Sequence, residues 1–207
     1  MMKLFYAPNA CSMASHIALE EAGADYELVL VDFKAEAQLG AEYLAVNPKA
    51  KVPALATDRG VLTETPALLA YIAQTHPAAK LAPLDDPFAF ARLQGFNDYI
   101  SSTLHVAYAH IFRGKRWADS DLSVSEMAAK GPSVVAKCLE LVETQMFRGP
   151  WAMGEAYTVA DPYIYVMTRW TARTDIDVSR FPKLDAHQQR MLQRPAVQRA
   201  LVQEGLA

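Results

Sequence analysis

The feature that most constrains the fold is a change in the sequence at a proline-rich segment, "PAAKLAPLDDP", residues 77–87. Proline lacks a backbone N–H and fixes its φ angle, so this segment can form neither a helix interior nor a central strand. Strand and helix patterns alternate before it, and every periodic segment after it is helical. The sequence therefore predicts an α/β N-terminal domain over residues 1–78, a linker over 79–87 and an all-α C-terminal domain over 88–207.

The N-terminal patterns follow the order strand, helix, strand, helix, strand, strand, helix. "KLFYA" and "YELVLVDF" are typical of strands, and "SMASHIALEEAG" is typical of a helix that ends at Gly23. "VPALATDRGVLT" predicts two short strands joined by a turn, followed by a helix with Pro66 in its first turn. The opening unit requires a parallel strand pair and the closing pair a hairpin, an order typical of a thioredoxin-like domain. The C-terminal patterns predict helices over 88–113, 123–147, 159–172, 183–194 and 195–204.

Composition and charge restrict the class of protein. The net charge is −3, and no basic tract with interleaved aromatic residues is present, which argues against nucleic acid as a partner. The two cysteines, Cys11 and Cys138, give no disulfide framework, and no histidine or cysteine spacing resembles a metal site. Because no secretory signal and no membrane-length apolar run is found, we expect a cytoplasmic protein without metal or membrane partner.

Cys11 is the first candidate for chemistry, since it precedes the first predicted helix. Unpaired backbone N–H groups and the helix dipole at that position favour a thiolate, and Ser12 can cap the helix and donate to the sulfur. A small buried cysteine fits the same position equally well. Cys138, by contrast, lies on the apolar stripe of a later helix and is predicted to belong to the core.

Two further features are typical of a site for an extended ligand. Val52-Pro53 is a candidate cis peptide bond that would present the Val52 backbone to a peptide-like ligand, although trans bonds are commoner. Glu64 and Thr65 stand at a strand-to-helix junction, where backbone N–H groups bind a carboxylate and an acidic side chain binds an ammonium. Plain helix capping by Thr65 is the alternative.

A stripe on the long helix after the linker carries the last candidates. Asp98, Ser101, His105, Tyr108 and Phe112 follow one another at spacings of three and four. Polar at its start and aromatic at its end, the stripe suits the wall of a cleft with a charged half and an apolar half. A solvent-facing helix edge is an equally good interpretation.

Together these segments resemble a glutathione transferase of the bacterial beta class, over essentially the whole chain. The resemblance rests on "YAPNACSMASHIALEEAG", "YLAVNPKAKVPAL", "VLTETPALLAYIA", "YISSTLH", "YTVADPYIYV" and "RPAVQRALVQEGL" in this order. It implies a thioredoxin-like domain followed by an all-helical domain, assembled as a homodimer, with glutathione as co-substrate and a role in detoxification.

The resemblance also implies roles for individual residues. Cys11 matches the cysteine that contacts the glutathione sulfur and can form a mixed disulfide with it. Val52, before Pro53, matches the residue whose backbone pairs with the cysteinyl part of glutathione. Glu64 and Thr65 match the pair that holds the γ-glutamyl end.

Other matches surround these residues. His105 matches a histidine that approaches the glutathione sulfur from the helical domain, and Asp98 matches a residue that reaches glutathione in the neighbouring subunit. Lys34 and Lys51 are expected to face the glycyl carboxylate. Tyr6 and Ala10 complete the implied glutathione site. The chain departs from the family pattern at Lys51, where glutamine is commoner, and at Val106, where a lysine often follows the histidine.

The function implied is conjugation of glutathione to a hydrophobic electrophile, with His105 and Ser12 stabilising the thiolate. The electrophile would enter beside Tyr108 and Phe112, and Cys11 would add thiol transfer or peroxide reduction. Two alternatives stay open. One is a dedicated thiol-disulfide oxidoreductase with Cys11 as nucleophile, and the other is a non-enzymatic protein of the same fold that binds hydrophobic ligands or partner proteins.

Overall fold

The computed structural model describes all residues, 1–207. Its N-terminal part contains four strands and three helices in the predicted order. They are β1 Met2–Tyr6, α1 Ser12–Ala22, β2 Tyr26–Leu30, α2 Ala41–Val46, β3 Ala54–Thr57, β4 Gly60–Thr63 and α3 Thr65–Thr75.

The four strands form one mixed sheet in the order β2-β1-β3-β4. β1 pairs in parallel with β2 across the α1 crossover, and β3 and β4 form an antiparallel hairpin that joins β1 through β3. Gly23 ends α1 in the left-handed conformation, with φ of 60°, which glycine adopts without a steric penalty. The parallel pair, the hairpin and the thioredoxin-like domain are therefore confirmed.

The C-terminal part is helical throughout, as predicted. Its helices are α4 Pro87–Tyr99, α5 His105–Phe112, α6 Asp121–Leu141, α7 Ala160–Arg169, α8 Pro182–Leu192 and α9 Pro195–Gln203. Asp86 caps α4, because its carboxylate accepts hydrogen bonds from the backbone N–H groups of Phe88 and Ala89. None of the helices combines the length and the apolar character that crossing a membrane requires.

The predicted helix over 88–113 is interrupted by a π-helical turn at Ile100–Leu104. A second π turn, Val142–Met146, follows α6. A π turn accommodates one more residue than an α turn, so it rotates the following side chains away from the faces that α-helical spacing predicts. The side chains of α5 therefore do not continue the faces of α4.

The two parts share one continuous core. Every residue from Ser12 to Leu19 of α1 is buried, because α1 packs against β1 and α3 on one side and against α7 and α9 on the other. A helix that is covered on all sides is the central element of its protein. The start of α1 consequently lies where the two parts meet.

Candidate functional site

A cleft with a volume of about 380 Å³ lies between the two parts of the chain. Its N-terminal wall consists of Cys11, Asn47, Lys51, Val52, Pro53, Glu64, Thr65 and Pro66. Its C-terminal wall consists of Ser101, His105, Val106, Ala109, Arg116, Trp117 and Tyr163. Seven of the predicted site residues are thus brought together: Cys11, Lys51, Val52, Pro53, Glu64, Thr65 and His105.

Two side chains, the buried Asn47 amide and the Tyr43 hydroxyl, hold the loop before β3. Asn47 Nδ2 donates to the Lys51 carbonyl over 2.6 Å, and the Tyr43 hydroxyl donates to the same oxygen over 2.7 Å. The Val52-Pro53 bond that follows is cis. The Val52 N–H has no hydrogen-bond partner within the protein, so it remains available to a ligand in the cleft.

Cys11 lies at the floor of the cleft as a thiol. Its Sγ donates to the Val52 carbonyl over 3.3 Å, and the residue is only 9% exposed. Burial raises the pKa of Cys11 to about 11, and the neighbouring Thr65 hydroxyl lowers it by less. The expectation of a thiolate is therefore wrong for the unliganded protein, because desolvation outweighs the start of α1.

Ser12 does not reach the sulfur. Its Oγ accepts a hydrogen bond from the Ala7 N–H over 3.2 Å and donates to the Ala7 carbonyl over 3.3 Å. The side chain is fully buried and makes no capping bond to α1. Ser12 therefore holds the loop between β1 and α1, and its hydroxyl makes no hydrogen bond to the Cys11 sulfur.

Glu64 occupies a strained position at the start of α3. Its φ of 75° lies in the region that favours glycine, and such strain concentrates at functional sites. Lys49 Nζ lies 2.7 Å from the Glu64 carboxylate. The first N–H groups of a helix have no partner within it, so the junction offers donors and a carboxylate side by side.

His105 is the first residue of α5, directly after the π turn. Burial, followed by the positive charges of Arg116 and Lys51, lowers the pKa of His105 to about 4. The imidazole is therefore neutral above that pH and offers one donor and one acceptor. Its Nδ1 lies 3.5 Å from the Tyr163 hydroxyl, and its ring centroid lies 5.2 Å from that of Trp170.

Several wall residues were not assigned to the site from the sequence, among them Asn47, Arg116, Trp117 and Tyr163. Arg116 and Trp117 belong to "RGKRW", whose mixed basic and aromatic character is a usable signal. Their position also depends on the turn after α5, which places Arg113 over the Phe33 ring at 5.7 Å. Tyr163 lies in an apolar helix, and sequence spacing does not reveal that its hydroxyl faces the cleft.

The predicted electrophile residues Tyr108 and Phe112 do not line this cleft. Tyr108 has no exposed surface, and its hydroxyl donates to the Met167 carbonyl over 2.8 Å. The Phe112 ring stacks on it at 6.1 Å. Val106 and Ala109, which lie on the other side of His105 on α5, line the cleft in their place.

Four other predicted glutathione residues lie outside the cleft lining. The Tyr6 ring packs 6.0 Å from the His16 ring, and Ala10 lies in the loop before α1. Lys34 and Asp98 are exposed and do not line the cleft of this chain. No group of three or more His, Cys, Asp or Glu side chains is arranged to hold a metal ion.

Family models for both parts match the chain. The "Glutathione S-transferase, N-terminal domain" matches residues 1–74, and the "Glutathione S-transferase, C-terminal domain" matches residues 96–195. Glutathione S-transferase GstA of Escherichia coli O157:H7 is 37% identical, over 99% of this chain and 100% of the relative.

Solved structures agree with these matches. A glutathione transferase homologue from Sulfitobacter with bound glutathione is 40% identical and superposes with a TM-score of 0.95, over 100% of this chain and 99% of that one. The bacterial beta class enzyme of Sphingomonas chungbukensis is 39% identical with a TM-score of 0.87, over 99% and 100% of the two chains. The architecture, the cleft and these matches together place this chain in the glutathione S-transferase family.

Proposed function

We propose that this glutathione transferase is a beta-class enzyme that conjugates reduced glutathione to small hydrophobic electrophiles in detoxification. The observation that carries the proposal is the alignment, in one cleft, of an open backbone donor at Val52, a helix start at Glu64-Thr65 and a neutral His105. These three features match, respectively, the amide backbone, the γ-glutamyl end and the thiol of glutathione.

Glutathione lies extended in this cleft. Its γ-glutamyl ammonium and carboxylate meet Glu64 and the start of α3, and its cysteinyl backbone pairs with Val52 as an added strand. Lys51, which forms no ion pair in the protein, meets the glycyl carboxylate. The charges of the walls thus match the two carboxylates and the one ammonium of the ligand.

The chemistry is a displacement or addition by the glutathione thiolate. The sulfur forms a bond to an electrophilic carbon, the leaving group or the π electrons take the displaced pair, and the thiol proton passes to solvent. A neutral His105 donates a hydrogen bond to the thiolate without competing for its proton. Val106, Ala109 and Trp117 give the apolar wall that holds the electrophile near the sulfur.

The thiol form of Cys11 supports conjugation over a dedicated disulfide oxidoreductase. A cysteine acts as a nucleophile through its thiolate, and the raised pKa of Cys11 leaves little thiolate at neutral pH. Thiol transfer or peroxide reduction through Cys11 is then a slower side activity. When glutathione binds, the Cys11 thiol turns its one proton from the Val52 carbonyl to the glutathione sulfur.

The working assembly is a cytoplasmic homodimer. Asp98 is exposed and outside the cleft of its own chain, which supports its proposed contact with glutathione in the neighbouring subunit. Light scattering with and without Asp98→Ala, combined with glutathione affinity, tests this part. A monomer, or an unchanged affinity, would contradict it.

The experiment that tests the function is retention on immobilised glutathione followed by conjugation of 1-chloro-2,4-dinitrobenzene. We expect retention and turnover well above the uncatalysed rate. Without retention, both enzyme interpretations fail and the non-enzymatic one gains. With retention but no turnover, comparison of Cys11→Ala with the wild type in disulfide reduction decides for or against the oxidoreductase.

A further inference from the structure

Arg116 reaches the cleft from an ordered turn, the 3-10 turn Gly114–Arg116 that follows α5. Gly114 is buried so closely that an added Cβ would lie 3.1 Å from Val124 Cγ1. Arg113, at the start of the turn, packs over the Phe33 ring of the N-terminal part. The turn is thus fixed from both sides and holds the Arg116 side chain over the cleft.

The Arg116 guanidinium has no hydrogen-bond or ion-pair partner within the protein. Other basic side chains are differently placed. Burial and then the charge of Arg113 lower the pKa of Arg116, and Arg113 itself packs over the Phe33 ring. Lys49 pairs with Glu64 at 2.7 Å, and Lys115 lies 3.9 Å from Asp121 on the surface. An arginine that lines a cleft without a carboxylate partner offers five donors and a full charge to a ligand.

The charge of Arg116 acts between Cys11 and His105. It lowers the pKa of His105 more strongly than Lys51 does, and an ionised Cys11 would in turn act on Arg116. The Arg116 side chain also lines the same cleft as Cys11 and His105, and Coulomb interactions are strongest between groups that lie close together. In the proposed pose the glutathione sulfur lies in this cleft, beside Cys11 and His105.

The remaining groups around that place give no positive charge to the sulfur. Cys11 and Tyr163 are protonated and neutral, because burial raises the pKa of each, and His105 is neutral because its pKa is lowered. Glu64 is negative and paired with Lys49. Lys51 is engaged by the glycyl carboxylate in the proposed pose.

We propose that the Arg116 guanidinium is the cation that stabilises the glutathione thiolate in this cleft. The inference rests on the proposed glutathione site and adds to it a residue outside the segments that carry the family resemblance. A thiol near a cation ionises at lower pH. Without the charge of Arg116, only hydrogen bonds would favour ionisation of the glutathione thiol.

The test is a pH titration of the bound thiol, followed by thiolate absorbance in the near ultraviolet. The complex with S-methylglutathione, which has no titratable thiol, is subtracted so that protein groups cancel. Wild type is compared with Arg116→Gln, with the conservative Arg116→Lys, and with Lys115→Gln. The last variant removes the same charge one residue away, from a side chain that is 80% exposed.

We expect Arg116→Gln to raise the thiol pKa by about one unit, and Arg116→Lys and Lys115→Gln to change it by about 0.3 unit or less. An unchanged thiol pKa in Arg116→Gln with glutathione still bound would overturn the inference and leave the proposed function intact. Loss of glutathione binding in folded Arg116→Gln would also overturn it, since Arg116 would then be a binding residue. Failure of the wild type to bind glutathione would reject the proposed function, and the inference with it.

Discussion

At the scale of single residues, burial decides the state of the two groups nearest the proposed sulfur position. Cys11 stands at a helix start that favours a thiolate, yet burial raises its pKa to about 11. His105 is an ordinary pH-sensitive side chain by type, yet burial and two cations lower its pKa to about 4. Both groups are therefore neutral at physiological pH, and glutathione itself supplies the reactive anion.

The neutral state of His105 predicts its role in the pH profile. His105→Gln should lower kcat for conjugation roughly tenfold, the loss of one hydrogen bond to the transition state. Because the folded pKa of His105 is about 4, the wild-type rate should show no inflection from this residue between about pH 5 and pH 9. His76→Gln, far from the cleft, is the control, and an inflection that disappears only in His105→Gln would contradict the assignment.

The thiol state of Cys11 predicts slow alkylation. Iodoacetamide should modify Cys11 at neutral pH about 100-fold more slowly than a free cysteine, with a rate that rises with pH toward about 11. Peptide mass spectrometry separates Cys11 from Cys138. A rate that is already at its plateau near pH 7 would show that the thiolate is present and would reverse the interpretation.

At the scale of elements, the π turn Ile100–Leu104 sets which side of α5 meets the ligand. Within α5 a spacing of three places Tyr108 about 60° from His105 around the helix, on the side of the buried Leu104. Val106 and Ala109 lie on the other side of His105 and line the cleft, whereas Tyr108 is buried in the core. A spacing of three or four does not say which of these neighbours of His105 faces the cleft, so spacing alone could not locate the apolar wall.

Tyr108 lies in the core and Trp117 lines the cleft, so substitutions at the two positions should have opposite effects. Tyr108→Phe should lower the free energy of unfolding by about 1 kcal/mol, since it removes the hydrogen bond to the Met167 carbonyl, and should leave the kinetics unchanged. Trp117→Ala should do the reverse: the side chain is 48% exposed, so stability should hold while KM for an apolar electrophile rises several-fold. Denaturant unfolding and steady-state kinetics on both variants separate the two. A kinetic defect in Tyr108→Phe would indicate that Tyr108 contributes to the electrophile pocket.

The start of α3 gives a prediction about affinity. Glu64→Gln should weaken glutathione binding about tenfold in a calorimetric titration, because it removes the charge that meets the γ-glutamyl ammonium. Glu27→Gln breaks a comparable ion pair, 3.0 Å from Lys3, on the far side of the sheet and should leave the affinity unchanged. Equal effects of the two substitutions would mean that Glu64 acts through stability alone.

At the scale of the whole molecule, buried polar contacts tie the end of the chain to α1. His16 Nδ1 lies 2.9 Å from the Glu204 carboxylate, whose second oxygen accepts the Asn9 N–H over 2.9 Å. Trp170 Nε1 donates to the Asn9 carbonyl over 3.0 Å. These contacts hold the loop before Cys11 against the helical part, and so fix the width of the cleft.

Glu204 should therefore be important for stability. Glu204→Gln should lower the free energy of unfolding by about 2–4 kcal/mol, because it leaves His16 and Asn9 with a weaker acceptor in a fully buried place. Glu140→Gln, on the exposed side of α6, should change it by less than about 0.5 kcal/mol. A loss of similar size in the two variants would show that the network contributes little.

The overall architecture was predictable because it depends on local patterns. Backbone chemistry fixes an element boundary at Gly23, at Pro66 and at the proline-rich segment. The helical and strand periodicities predict the type of each element between these boundaries. The division at residues 79–87 and the individual glutathione contacts stay predictions. Arg116, Tyr163 and the bonds of Ser12 depend on how distant segments meet, which no local pattern contains.

A crystal structure with reduced glutathione tests the central claim most directly, through the position of the glutathione sulfur. We predict an unbonded sulfur within about 4 Å of Cys11 Sγ and within hydrogen-bond reach of His105, with the cysteinyl backbone paired to Val52. A sulfur joined covalently to Cys11, or a glutathione bound outside this cleft, would contradict the account.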